Sequence, residues 1–245
     1  MRYLIIADVH SNLEALKTVL DAAEGSWDTA LCLGDLVGYG PNPNECVETV
    51  RGLNGLSCVI GNHDVAALGQ IDLDTFNPLA KFAAVWTKGQ MSDETKGFLE
   101  SLGQVEEMGA TTLVHGSPRD PIWEYLEYPS QAPENFARFT TKLCFNGHTH
   151  VPKIFSQDAE DRRTEVRVPD PDEVVDTADE HRFILNPGSV GQPRDGDPRA
   201  AYAIFDADGE RFEYHRVAYD VEATQKKMAD ARLPQALADR LAYGF

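Results

Sequence analysis

Five of the seven histidines, His10, His63, His115, His148 and His150, stand at or just past the end of an apolar run, with Gly, Asp or Asn close by. A lone histidine in such a place is most often structural, but imidazole is also the side chain best suited to bind a metal or move a proton near neutral pH. In an extended segment residues i and i+2 share a face, so Asp8 with His10, and His148 with His150, can each offer two donor atoms to one ion. Either pair alone is equally consistent with a polar surface. Asp35, in GDLVG at 34–38, directly follows the run ALCLG, and a carboxylate with two oxygens can bridge two cations. In GNHD at 61–64, adjacent extended residues point opposite ways. Asn62 is expected to face a metal through its amide oxygen, His63 to face a substrate, and Asp64 to orient the His63 ring. His115, in VHGSP, again ends an apolar run before a glycine.

The elements that must position these residues can be read from periodicity. Up to about residue 150, apolar β-type runs (YLIIA, ALCLG, SCVI, TTLV at 111–114) alternate with helical patterns at 12–24, 42–53, 78–89 and 93–102. That order predicts strand–helix–strand units with a partly parallel sheet. Asn12 or Ser11 can cap the first helix, whose Leu13, Leu16, Val19 and Leu20 fall on one face. After His150 the texture becomes β-rich (VPKIF, TEVRV, RFILN, AYAIF, RFEYHRV), a pattern of antiparallel hairpins, with a helical tail from about 220. The acidic stretch Gln157 to Glu180 reads as a mobile excursion. The expected architecture is one α/β domain over 1–245, a four-layer αββα sandwich of two face-to-face mixed sheets flanked by helices. Its motifs should meet at one edge, where layered folds collect sites at strand ends.

The ordered set DxH, GDxxG, GNHD, HG and GHTH resembles the calcineurin-like metallophosphoesterase family, through Asp8, His10, Gly34, Asp35, Gly38, Gly61, Asn62, His63, Asp64, His115, Gly116, Gly147, His148 and His150. The likeness runs to about residue 216. It includes NPGSVG at 186–191, which is similar to a segment that small bacterial and archaeal phosphodiesterase-type members carry after GHTH. The resemblance implies one metal site of Asp8, His10, Asp35 and His150 and a second of Asp35, Asn62, His115 and His148, with Asp35 bridging ions about 3.5–4 Å apart. It also implies in-line attack on phosphorus by a hydroxide bridging the metals, with His63 as general acid. Two dications bring about +4, and two carboxylates and a hydroxide remove about three, leaving a centre suited to a phosphate anion. Nitrogen and oxygen donors without thiolate favour Mn, Fe, Zn, Co or Ni.

Protein serine/threonine phosphatases of the superfamily carry GDxxDRG and GNHE, whereas this chain has GDLVGYG and GNHD, so small phosphodiesters or nucleotides are the expected substrates, with phosphomonoesters second. An inactive interaction scaffold of the same fold is the other alternative, disfavoured because every ligand position and His63 are filled. Arg119 and Arg194, each within a few residues of a motif or of NPGSVG, are candidates for substrate binding. The net charge of −18, from 40 acidic against 22 basic residues, opposes an extended nucleic-acid footprint. No apolar stretch approaches the roughly 20 residues that span a bilayer, and Tyr3–Ala7 is too short for a signal peptide, so a cytoplasmic location is expected. The four cysteines form no CxxC pair and read as buried free thiols.

Overall fold

The computed structural model describes residues 1–245, the side chain of Thr75 excepted. Alternation explains the first strand, β1 (Arg2–Ile6): Leu4 and Ile6 enter one apolar cluster while Ile5 and the following Ala7 enter another, so the strand is buried on both faces. Parallel to it run β2 (Thr29–Cys32) and β3 (Ser57–Cys58), joined by helices α1 (Leu13–Ala22) and α2 (Pro43–Arg51). The cap of α1 is Asn12, whose side chain accepts from the Ala15 N–H at 3.2 Å. Helix α3 (Asn62–Leu68) begins within GNHD, and α4 (Pro78–Gln90) and α5 (Asp93–Glu100) follow.

The chain then enters a second sheet with β4 (Val105–Met108), β5 (Thr111–Val114) and, after the short α6 (Ala132–Phe136), β6 (Leu143–Phe145), β7 (Lys153–Gln157) and β8 (Thr164–Arg167). β9 (Val174–Asp176) returns to the first sheet, β10 (Arg182–Asn186) to the second, and β11 (Ala200–Asp206) and β12 (Arg211–Val217) complete the first. The orders are β3-β2-β1-β11-β12-β9 and β4-β5-β6-β10-β7-β8, two mixed six-stranded sheets as expected. Helices α7 (Val221–Asp230) and α8 (Gln235–Asp239) form the tail.

The sheets face each other across Ile5, Leu31, Leu33, Leu113, Phe145, Leu185, Phe205 and Phe212, and each such side chain contributes about 1.5–3 kcal/mol by leaving water. The outer face of the first sheet is covered by α1, α2 and α5, whereas that of the second is covered by α6 and neighbouring segments through Leu126, Phe136 and Phe139, a thinner helical layer than four equal layers would give. All four cysteines are buried free thiols. No described helix is long and apolar enough to cross a membrane.

The acidic stretch Gln157 to Glu180 departs from expectation. It supplies an edge strand to each sheet, β8 pairing with β7 and β9 with β12, so its backbone is tied into both layers and is no free excursion. Arg167 bound to Glu173 offsets part of its charge.

Candidate metal centre

The parallel strands β1, β2 and β3 of one sheet and β5 and β6 of the other all end at the same edge, and just past those ends lie Asp8 and His10, Asp35, Asn62, His115, and His148 and His150. Contacts between and within the sheets lock the loops together: the His148 N–H donates across to the Asp8 carboxylate at 3.1 Å, and the Gly147 N–H to the His115 carbonyl of the same sheet at 2.9 Å. Every one of the seven is buried.

The extended geometry expected for DxH and HTH is not what is found. Asp8, His10, Asp35, His148 and His150 all have positive φ, between 48° and 68°. Non-glycine residues there cost of order 1–3 kcal/mol each and persist where surrounding structure holds them, commonly at functional sites. GNHD is likewise not extended, because Gly61 caps α3 and Asn62 is its first residue. Asn62 and His63 still diverge: the Asn62 Oδ1 lies 3.0 Å from the His115 Nε2, while the His63 ring packs 4.4 Å from the Tyr39 ring and 5.3 Å from Phe76.

Two groups of donor atoms result, each gathered within 4.8 Å: Asp8, His10, Asp35 and His150, and Asp35, His115 and His148. Asp35 is common to both, its Oδ2 3.5 Å from the His10 Nε2 and 3.4 Å from the His115 Nε2. The histidine tautomers follow from their outer partners. His10, His115 and His150 direct Nδ1 to the carbonyls of Val37, Leu33 and Gln192 at 3.1, 2.8 and 2.6 Å, which leaves Nε2 as a bare lone pair. His148 directs Nε2 to the Trp123 carbonyl at 3.3 Å and leaves Nδ1 bare.

The bare nitrogens then face one another, His10 against His150 and His115 against His148, both at 3.0 Å. Burial holds all four imidazoles well below their usual range, His115 at about 4, so protonation does not relieve the opposed lone pairs. Burial pushes the Asp35 carboxyl up to about 8 and raises Asp8 as well, with Asp35 as its second cause, and the Asp35 Oδ2 has no hydrogen-bond partner. Converging lone pairs beside an unpartnered buried carboxylate oxygen are what a bound cation satisfies. The donor set therefore fits divalent metal.

Asp64 does not orient His63. Its carboxylate accepts from the backbone N–H groups of Val37 and Gly61, both at 3.0 Å, completing the cap of α3. Position three of a helix is where a carboxylate meets its own N-terminus, and that local bond wins. The His63 Nδ1 is buried with no partner. The Arg119 guanidinium is bound by Glu124 and Glu134. Arg194 is held at the centre: Gln192 Oε1 accepts from its Nη2 at 2.9 Å, and the guanidinium lies 5.7 Å from the Tyr39 ring centroid. Its charge lowers Asp8, Asp35, His63 and His150 alike.

Two contributors were not among the expected site residues, although they lie in a segment the resemblance includes. Ser189 donates to the Asp8 carbonyl at 2.9 Å and accepts from the Gln192 N–H, and Asn186 donates to the Gly147 carbonyl at 2.7 Å. Both lie in NPGSVG, which thereby braces the loops after β1 and β6. Gly191 shows how tight that brace is: a Cβ there would lie 1.9 Å from the Val9 carbonyl oxygen, backbone against backbone. Gly191→Ala is expected to cost about 1–3 kcal/mol. At ~2–4 °C per kcal/mol for a chain of this size, thermal denaturation detects it, and an unchanged Tm would show that the loop relaxes freely.

Comparison with known proteins identifies the family. The model of the calcineurin-like phosphoesterase superfamily domain matches residues 1–210. An uncharacterized protein of Methanocaldococcus jannaschii is 41% identical over 246 residues, covering 98% of this chain and 97% of that protein. The crystal structure of a metallophosphoesterase from Sphaerobacter thermophilus is 50% identical with a TM-score of 0.90, covering 100% of this chain and 99% of that one. A hypothetical protein of Pyrococcus horikoshii, 18% identical, shares the fold with a TM-score of 0.80 over 100% of this chain and 98% of its own. Motifs, topology and matched length lead to one conclusion: the chain belongs to the calcineurin-like phosphoesterase superfamily.

Proposed function

We propose that the chain is a two-metal phosphodiesterase acting on small phosphodiesters or nucleotides. The observation that carries this reading is the pair of donor groups sharing the unpartnered Asp35 carboxylate. Asp8, His10, Asp35 and His150 would hold one divalent ion and Asp35, Asn62, His115 and His148 the other. When bound, such ions act as Lewis acids toward phosphoryl oxygens and lower the pKa of water. The chain's own residues do the rest. Arg194, fixed by Gln192, binds the phosphoryl oxygens, and His63 gives a proton to the leaving oxygen.

Metal-stripped protein is expected to be inactive on bis(p-nitrophenyl) phosphate, and Mn, Fe, Zn, Co or Ni to restore turnover, with diesters favoured over p-nitrophenyl phosphate. Full activity after exhaustive chelation would sink the metal-dependent reading, and a preference for the monoester would move the assignment to a phosphatase. Arg194→Ala should lower kcat/KM by roughly 10- to 100-fold, the worth of a charged hydrogen bond of about 1.5–3 kcal/mol, with metal content intact. Unchanged kinetics would remove Arg194 from the substrate.

A further inference from the structure

Beside the metal centre a cleft of about 200 Å³ opens, and its wall is aromatic to a degree the phosphoryl chemistry does not require. Phe76 comes from the turn before α4, and Trp123 and Tyr125 from the segment after β5. The rings form a belt: Phe76 lies 5.3 Å from His63 and 6.1 Å, edge to face, from Trp123, and Tyr125 lies 3.9 Å from His148 at a tilt of 32°. Despite their size, Trp123 and Tyr125 remain 40% and 46% exposed. No Asp, Glu, Lys or Arg lines the cleft, although the chain carries a net charge of −18. The part of the wall formed by Phe76, Trp123 and Tyr125 offers no charge to a second phosphate or to a cation. It suits a flat, neutral ring that stacks on the face of one of Trp123 and Phe76 and meets the other, 89° away, by its edge, while a charged group attached to it reaches His148 and Asn62.

We propose that Phe76 and Trp123 form a base-stacking subsite, and that the preferred ligand is a nucleoside phosphoester with its base in this cleft and its phosphate at the metal centre. The proposal rests on the phosphoester reading above and adds the substrate class. An alkyl or sugar group would gain area burial there but no ring stacking, whereas aromatic side chains hold any base through its π-face.

The test is equilibrium binding, by calorimetry, of AMP and of ribose 5-phosphate to the full chain loaded with Mn²⁺. The two ligands carry the same phosphate and differ in the base. AMP is expected to bind roughly 5- to 140-fold more tightly, the range that stacking on an aromatic side chain provides. Trp123→Ala and Phe76→Ala should each remove most of that ratio and leave ribose 5-phosphate affinity unchanged, and Trp123→Phe should keep most of it. Equal binding of the two ligands to the parent protein, a ratio that survives in both alanine variants, or an equal loss for both ligands would overturn the subsite. Turnover of bis(p-nitrophenyl) phosphate by the parent protein reports separately on the hydrolase reading: base-selective binding without turnover ends that reading and leaves the subsite, while turnover without base selectivity does the reverse.

Discussion

Asp35→Asn should empty both metal positions at once. The Asp35 Oδ2 stands 3.5 Å from the His10 Nε2 and 3.4 Å from the His115 Nε2, so one oxygen serves both donor groups. Its other oxygen accepts from the His63 N–H at 2.8 Å, a bond the amide oxygen of asparagine can keep. The substitution therefore preserves shape and replaces the shared carboxylate oxygen with an NH₂ group, which has no lone pair to give. Changes to groups one step removed from a metal already cost about 10–100-fold in affinity, and loss of a shared ligand should exceed that for both ions. Elemental analysis after gel filtration reads the outcome. Loss of one ion only would refute the bridging role. His150→Gln is the control that should affect one group alone.

Stability in the metal-free state should move the other way. Burial raises the Asp35 carboxyl to about 8, above its unfolded value near 3.8. A raised folded pKa means that the stabilising contribution is complete below the unfolded pKa and is lost as pH climbs through the folded one. At neutral pH the metal-free protein therefore sits within the window where Asp35 is a liability, and asparagine removes it. Stripped of metal, the variant should denature at a temperature no lower than the parent. On adding Mn²⁺ the parent should gain stability by mass action while the variant does not.

How much of this was legible in the residues differs with the range of the interaction involved. Asp8, Asp35, His115 and His148 could be placed because each lies just past an apolar run, and a sandwich whose parallel strands end on one edge must bring such positions together. Their backbone was not legible. Positive φ at Asp8 and His150 is imposed by tertiary bonds, such as the Gly191 N–H to the Asp8 carbonyl at 2.9 Å, which no local pattern encodes. Asp64 was misread because carboxylate beside imidazole suggests a catalytic pair, when its position three residues past Gly61 already specified a helix cap. The partners that hold Arg119 were not legible either, since one of them, Glu134, lies 15 residues away. Half-buried Phe76 and exposed Trp123 went unremarked because an aromatic that lines a cleft looks, in sequence, like any core residue. The run WEYLEY at 123–128, three aromatics among acids soon after HGSPRD, was the available signal.

His63→Gln should keep both metals and lose activity in proportion to how badly the leaving group needs a proton. His63 is next to Asn62 in the first turn of α3, yet its ring turns toward Tyr39 and Phe76 and lines the cleft. With no substrate present, burial first and then the charge of Arg194 hold this imidazole well below its usual range, so it rests neutral. A phosphate anion arriving beside it supplies the opposite charge that favours the protonated form. A positioned general acid contributes typically 10²–10⁴-fold, and mainly where the departing oxygen is a strong base. A ribose or alkyl oxygen is such a group, whereas a nitrophenolate departs well without help. The expected result is a loss of roughly 10²–10⁴-fold on alkyl and nucleoside diesters and a far smaller loss on nitrophenyl diesters. If His63 instead served the fold, metal content or Tm would drop and the loss would not follow the leaving group. Equal losses across the series, with metal and Tm unchanged, would mean that His63 binds the phosphoryl oxygens and delivers no proton. Because Asp64 is engaged by the Val37 and Gly61 N–H groups, Asp64→Asn should weaken the α3 cap and lower Tm without reproducing this dependence on leaving group, which separates support of the helix from chemistry at the ring.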